Sequence, residues 1–314
     1  MRKVVSAVFF FLFPAHILHA LAPCSIQRAA AAEGYVWLLC DEQQLFVSAD
    51  QGTSWQVRKL PTAETMRAIA FLDARRGFVA GEAGTLLGTE DGGLRWRQIP
   101  LPTRENLTSI HFVGEHGWLA GWAGVILHTA DGGRSWERQP SGVLHGLESI
   151  YFVDAAHGWV VGWAGTILRT TDGGRTWERA RSTNTLWSLE SVYFVNPSQG
   201  WAVGFGGQIL KTTDGGVSWH QQTHPSQAWL KSVMFDDSGR GWIVSDHLLL
   251  ESRDHGETWQ TIPVNDVVFL HQLLRVKGSL WAVGQFGVLK QAEDSRLVAL
   301  ATLPSNGDSR NANE

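Results

Sequence analysis

Thr170-Thr171-Asp172-Gly173-Gly174-Arg175-Thr176-Trp177 is one of six copies of the pattern Ser/Thr-x-Asp-x-Gly-x-x-Trp. The aspartates are Asp50, Asp91, Asp131, Asp172, Asp214 and Asp254, spaced 41, 40, 41, 42 and 40 residues apart. The tryptophans are Trp55, Trp96, Trp136, Trp177, Trp219 and Trp259. A fixed period in this range marks a solenoid, a propeller or another array. Each residue of the pattern has a local task. A short carboxylate accepts hydrogen bonds from backbone N–H groups a few residues on and closes a turn. The glycines supply φ > 0, and the tryptophan opens the next strand with a large apolar face to bury. Six aspartates in six equivalent turns therefore read as turn-formers rather than catalytic acids.

Aligned on the residue that opens the second strand (Trp37, Phe78, Trp118, Trp159, Trp201, Trp242 and Trp281), the chain has seven units, one more than the intact turns. In the seventh, Glu293 stands where the aspartate is expected, and the glycines and tryptophan are missing. Each unit reads as four short strands. Strand A is Leu-x-Ser-Ile-x-Phe, B is Trp-x-x-Gly, C is Ile-Leu-x-Thr, and D starts at the tryptophan of the turn. Four strands in about 41 residues describe a propeller blade. The expected fold is all-β, a seven-bladed β-propeller of four-stranded antiparallel blades over residues 33–304. Unit one, from Tyr35, lacks a strand A pattern, so blade one is either three-stranded or completed by the mature N-terminus. Residues 297–303 read as strand D of blade seven. The polar tail, 305–314, reads as disordered.

Sixteen Trp and 34 Gly against 3 Tyr follow from the repeat itself. A net charge of −4 speaks against a broad nucleic-acid or anionic-membrane footprint. At the N-terminus, Arg2 and Lys3 precede an apolar run over residues 4–21, and Ala30-Ala31-Ala32 precedes Glu33. That is the order of a secretory signal, with cleavage expected after Ala32 and residues 1–32 outside the fold. Leu21-Ala22-Pro23-Cys24 offers an alternative as a bacterial lipobox, with Pro23 in place of the usual small residue and Cys24 lipidated. Loss of Cys24 would leave Cys40 alone, with no internal disulfide. A chain of this length can bury a core without one.

The turn resembles the Asp-box, or BNR, repeat of sialidases and other β-propellers. The fuller unit is Leu189-Glu190-Ser191-Val192-Tyr193-Phe194, then Gly200-Trp201-Ala202-Val203-Gly204, then Ile209-Leu210-Lys211-Thr212-Thr213-Asp214-Gly215-Gly216. It is similar to a narrower family, the photosystem II assembly and stability factors known as Ycf48 or HCF136, over roughly residues 35–303. The resemblance implies an exported, non-catalytic, cofactor-free scaffold that binds a protein partner. That partner would be a subunit of a membrane complex, with photosystem II as the family's client. The compartment would be the thylakoid lumen, or the periplasm of a non-photosynthetic bacterium. Cyanobacterial members are lipoproteins, which supports the lipid-anchor alternative at Cys24. A monomer is expected.

Strand order puts the D–A and B–C loops at one end of the blades and the A–B loops and Asp-boxes at the other. The B–C tips are Gly121-Trp122-Ala123-Gly124, Gly162-Trp163-Ala164-Gly165, Gly204-Phe205-Gly206-Gly207 and Gly284-Gln285-Phe286-Gly287. The D–A loops nearby carry His145, Trp187 and Trp229. Turn chemistry does not demand an aromatic tip, since blade two has Glu82 there. Clustered aromatics mark interaction sites, so Trp122, Trp163, Phe205, Phe286, Trp187 and Trp229 are candidate partner-binding residues. The alternative is that the rings fold inward and plug the channel. A second candidate is basic: Arg138 and Arg179, with Arg134, Arg175 and Arg181, are interleaved with Glu137 and Glu178, a pattern also expected of a solvated edge with local ion pairs.

Kinship with sialidases raises the question of hydrolysis. Such an enzyme needs an arginine cluster, a Tyr nucleophile paired with Glu, and an acidic residue. The Arg-Ile-Pro segment usual ahead of the first Asp-box is absent. Tyr151 and Tyr193 share a repeat position with Ala70, His111 and Met234. Glu148 and Glu190 share theirs with Arg67, Thr108, Lys231 and His271. No catalytic residue and no metal ligand set is assigned. A glycan-binding propeller using Trp122 and Trp163, and behind it a sialidase-like hydrolase, are the alternatives to a scaffold.

Overall fold

Short apolar runs bounded by glycine become strands throughout, and they assemble into seven four-stranded antiparallel sheets. The computed structural model describes residues 24–181, 185–224, 226–262, 269–285, 287–291 and 297–299. In every sheet the strands lie in chain order, so each blade is a meander whose first strand faces the central channel. Blade five shows the pattern, with Leu189–Phe194, Gly200–Gly204, Ile209–Thr212 and His220–Gln221. The ring is the seven-bladed all-β propeller that the repeat implies.

Each Asp-box is locked from within. Thr170 donates its hydroxyl to Asp172 Oδ1 at 2.7 Å and accepts the N–H of Gly174 at 2.9 Å. Asp172 accepts the N–H and hydroxyl of Thr176 at 3.0 and 2.6 Å. Carboxylates held this way favour the charged form. The Ser54 hydroxyl and N–H lower the pKa of Asp50 to about 2, and those of Thr258 do the same for Asp254.

The turn also joins neighbouring blades. The strand B tryptophan of one blade donates its indole N–H to an Asp-box carbonyl of the next: Trp37 to Gly92, Trp118 to Gly173, Trp159 to Gly215 and Trp201 to Gly256, at 2.9–3.3 Å. The same ring stacks on the phenylalanine ending strand A of that next blade, with Trp159 and Phe194 centroids 3.4 Å apart and nearly parallel. The Asp-box tryptophan of that blade closes the stack edge-on, Trp219 against Phe194 at 5.8 Å. Truncating a buried ring of this kind to alanine typically costs about 3–5 kcal/mol. The glycine preceding the strand B tryptophan makes room: a Cβ on Gly158 would lie 2.3 Å from the ring of Phe152.

The junction between blades seven and one is built differently. Ile26–Ala32 pairs with Tyr35–Cys40 as the inner strand of blade one, so the N-terminal segment completes that blade. This corrects the boundary read from the sequence: the propeller starts at Ile26, not at residue 33, and cleavage after Ala32 would remove a core strand. The misreading has a physical cause. Where blades two to six set Phe opposite Gly, blade one sets Ala31 opposite Val36. An alanine run that resembles a processing site is here the small half of a volume exchange. Cys24 and Cys40 form a disulfide, with Cα atoms 5.7 Å apart; the expectation of no internal disulfide applied only to a chain that loses Cys24.

With no phenylalanine to stack on, Trp281 is buried beside Ile26, Val36 and Leu38, and its indole N–H has no hydrogen-bond partner among the described residues. At other junctions a strand A serine accepts the N–H of the next inner strand, as Ser149 does from Val192 and Ser232 from Leu273. Gln272 takes that place in blade seven. Its amide accepts from Ala29 N–H at 2.8 Å and donates to Ala29 C=O at 3.0 Å. Leu297–Ala299 pairs with Gly287–Gln291 as the fourth strand of blade seven. Residues 1–23, Glu293 and the tail 305–314 lie outside the described residues.

Candidate partner-binding face

The B–C tips are strained, and backbone bonds hold them. Ala123 and Ala164 sit at φ 53° and 52°, in the left-handed region that alanine seldom enters. The tips of blades three, four and five each donate to the D–A loops on both sides. Trp122 N–H reaches Asn106 C=O and Gly124 N–H reaches His145 C=O, both at 2.9 Å. Trp163 and Gly165 reach Gly146 and Trp187, and Phe205 and Gly207 reach Ser188 and Ala228. Gly124 must be glycine on two counts, φ +67° and a virtual Cβ 2.0 Å from Val143 C=O. The tips of blades three to five and the D–A loops beside them thus form one continuous hydrogen-bonded rim.

This rim carries a crescent of apolar side chains. Leu144 and Leu186 are 88% exposed, Trp187 is 52%, and Trp163, Phe205 and Trp229 are each 42%. These six make up most of the exposed large hydrophobic residues among those described. Trp122 is half-buried and lies 5.7 Å from Trp163. Phe205 lies 5.2 Å from Trp187 and 5.7 Å from Trp229. The rings therefore border the channel mouth and keep accessible faces. Phe286 lies outside the described residues. The sequence reading passed over Leu144 and Leu186; the available signal was a leucine at the tip of a polar loop beside an aromatic.

Below the crescent is a cavity of about 250 Å³ in the channel, lined by Arg28, Glu148, Glu190, Lys231, His271 and the inner-strand serines. Each inner strand has an irregular register at its start, between Leu147 and Ser149 in blade four and between Leu189 and Ser191 in blade five. Such a bulge re-aims a side chain, and the residue it releases is Glu148 or Glu190. Trp163 donates its indole N–H to Glu148 at 2.6 Å, and Lys231 lies over the ring of Trp229. Burial, then the neighbouring Glu190 charge, raises the pKa of Glu148 against the pull of Trp163, Arg28 and Arg67. Burial also raises Glu190 and lowers Lys231. The cations and carboxylates offset one another in the mouth.

Among the described residues, neither Tyr151 nor Tyr193 hydrogen-bonds a carboxylate. Tyr193 donates to Phe235 C=O at 3.0 Å, and the Tyr151 ring lies tilted 5.0 Å from that of Tyr193. Arg138 and Arg179 are exposed on the outer strands of blades three and four, and neither makes an ion pair among the described residues. Glu178 pairs with Arg169 instead, at 2.6 Å. Arg138 lines a shallow pocket with Ala123 and Leu144, which sets it at one end of the crescent.

The sequence model of the family described as Photosynthesis system II assembly factor YCF48 matches residues 47–144 and 183–269, more than half of the chain. The chain belongs to the YCF48 family. A curated relative, the photosystem II assembly lipoprotein Ycf48 of Parasynechococcus marenigrum, is 39% identical over 67 residues. That match spans 20% of this chain and only 20% of the relative's length. The solved structure of YCF48 from Cyanidioschyzon merolae superposes with a TM-score of 0.70 at 18% identity, covering 86% of this chain and 95% of that one. A structure of YCF48 bound to D1 peptide gives 0.54 at 22% identity, covering 80% and 98%. Lyases and glycoside hydrolases share the ring at 16% identity and lower. At these identities the structural likenesses speak for the fold.

Proposed function

We propose that this YCF48-family chain is an exported, non-catalytic scaffold that assists assembly or stability of a membrane complex of the photosystem II type. It holds a protein partner on the aromatic face. The observation that carries this reading is the rigid rim with six exposed apolar side chains over the channel mouth. Large rigid aromatics provide contact area at low entropic cost and are enriched in binding hot spots. Since a YCF48 structure is described as bound to D1 peptide, a segment of a D1-type subunit is the partner we assign. Arg138, at the crescent's end, supplies a polar contact at its edge, and Arg179 is its counterpart on blade four. The compartment is the thylakoid lumen, or the periplasm if the host has no photosystem. The scaffold acts as a monomer.

Affinity capture from the native host with a C-terminally tagged chain tests this. Recovery of photosystem subunits, depleted when Trp163 and Trp187 are both alanine, is the expected result. Recovery of unrelated envelope proteins, or of nothing, contradicts it. A second reading has one observation in its favour: Glu148 and Glu190 are neighbouring carboxylates of raised pKa beneath tryptophans, the kind of environment used in glycan binding and hydrolysis. Binding on a glycan screen without a protein partner, or turnover of fluorogenic glycosides abolished by Glu148→Gln, would favour that reading.

A further inference from the structure

We infer that Cys24 is a structural disulfide cysteine of the mature protein and not its lipid attachment site, so this chain differs from the relatives described as lipoproteins. The two fates exclude each other chemically. Lipidation places the Cys24 sulfur in a thioether to a diacylglyceryl group, whereas the disulfide uses the same sulfur to bond Cys40 Sγ.

The surroundings select the second fate. Cys24 is 9% exposed and Cys40 3%, and both belong to the apolar cluster that joins blades seven and one. The backbone is fixed across the same point: Ser25 N–H donates to Asp41 Oδ1, and Asp41 N–H donates to Ser25 C=O, each at 3.1 Å. Only Ser25 separates Cys24 from Ile26, which is fully buried and paired with Cys40. Two residue steps span about 7 Å even when extended. Acyl chains on Cys24 would press the ring-closing strand against the headgroups or pull Ile26 out of the core. A lipoprotein cysteine instead needs a free tether between the bilayer and the first folded residue.

The bond also lies at a junction without the tryptophan–phenylalanine stack. At this junction Trp281 has no stacking phenylalanine, and its indole N–H has no partner among the described residues. The disulfide ties the start of the closing strand to the strand beside it. Its formation balances as thiol–disulfide exchange. The thiolate of one cysteine attacks the disulfide of an exported dithiol oxidase, and the second cysteine displaces that enzyme from the mixed disulfide. The two protein thiols are oxidised, and the oxidase is left as a dithiol that carries the two protons they gave up. Such oxidants belong to the export compartment. Processing of the leader must then fall before Cys24, so that both the cysteine and the strand are retained.

The test is the intact mass of the protein purified from its own host with its own leader, from soluble and membrane fractions, with and without reduction before alkylation. The expected product is unacylated and carries Cys24, and it takes up two alkyl groups only after reduction. In addition, Cys40→Ser should make Cys24 alkylatable without reduction and lower the melting temperature. Three findings would overturn the inference: an N-terminal diacylglyceryl-Cys24, a mature chain beginning after Cys24, or two thiols that alkylate in the unreduced wild type. The wild-type mass decides the question even if the Cys40 variant does not fold.

Discussion

Replacing Gln272 with alanine should loosen the ring where its two ends meet. The side chain makes two hydrogen bonds to Ala29, accepting at 2.8 Å and donating at 3.0 Å. A net hydrogen bond contributes roughly 1 kcal/mol, and a half-buried donor left unsatisfied adds to the loss. The expected destabilisation is therefore about 2–3 kcal/mol. Ser191→Ala is the internal control. It removes one acceptor, for the N–H of Val233 at 3.3 Å, at a junction that keeps its Trp201–Phe235 stack, and should cost about 1 kcal/mol or less. Urea midpoints at constant m-value measure both. In a chain of this size the larger loss lowers the melting temperature by roughly 4–8 °C. Amide exchange at Ala29 should accelerate in the Gln272 variant and stay slow in the Ser191 variant. Equal midpoints for Gln272→Ala and wild type, or unchanged exchange at Ala29, would refute the idea that this amide closes the ring.

Two further outcomes follow from titration. The folded pKa values of Asp50 and Asp254 lie near 2, against an ordinary 3.8, so below that value the unfolded chain binds more protons there than the native one. Their contribution is present above about pH 4 and is lost as pH falls towards 2; an acid-induced unfolding transition that Asp50→Asn leaves unshifted would argue against it. Glu148 carries the opposite sign. Its folded pKa lies above the ordinary 4.5, so native stability declines as pH rises through that range. Glu148→Gln keeps an acceptor for Trp163 and should stabilise the protein at pH 8 while matching wild type at pH 4. A variant that is less stable at pH 8 would contradict the assignment.

Much of the architecture was legible because one tight turn needs the same residues every time. Asp172, Gly174 and Trp177 are dictated by hydrogen-bond geometry and packing, and Phe194 opposite Gly200 is a volume match that recurs in five blades. Blade one was misread because its inner strand solves the same packing problem with Ala31 and Val36 and leaves no motif. The dependence of one blade on the next, through Trp159 and Gly215, was hidden because the partners lie 56 positions apart. For the candidate site, Trp122, Trp163, Phe205, Trp187 and Trp229 stood out as departures from the repeat. Leu144 and Leu186 did not, since an apolar side chain in a loop shows its exposure only when the loop is placed. The release of Glu148 and Glu190 into the channel depends on a bulge, which a side-chain pattern does not encode.

Partner binding rests most heavily on the crescent. A titration of the captured D1-type segment against wild type, Trp163→Ala/Trp187→Ala and Arg138→Ala/Arg179→Ala, each checked for an unchanged melting temperature, tests it directly. Two hot-spot tryptophans, each contributing about 2 kcal/mol, should weaken the dissociation constant by roughly a thousandfold. The exposed arginines should change it by about tenfold or less. An undiminished affinity in the tryptophan variant would place the partner elsewhere on the ring.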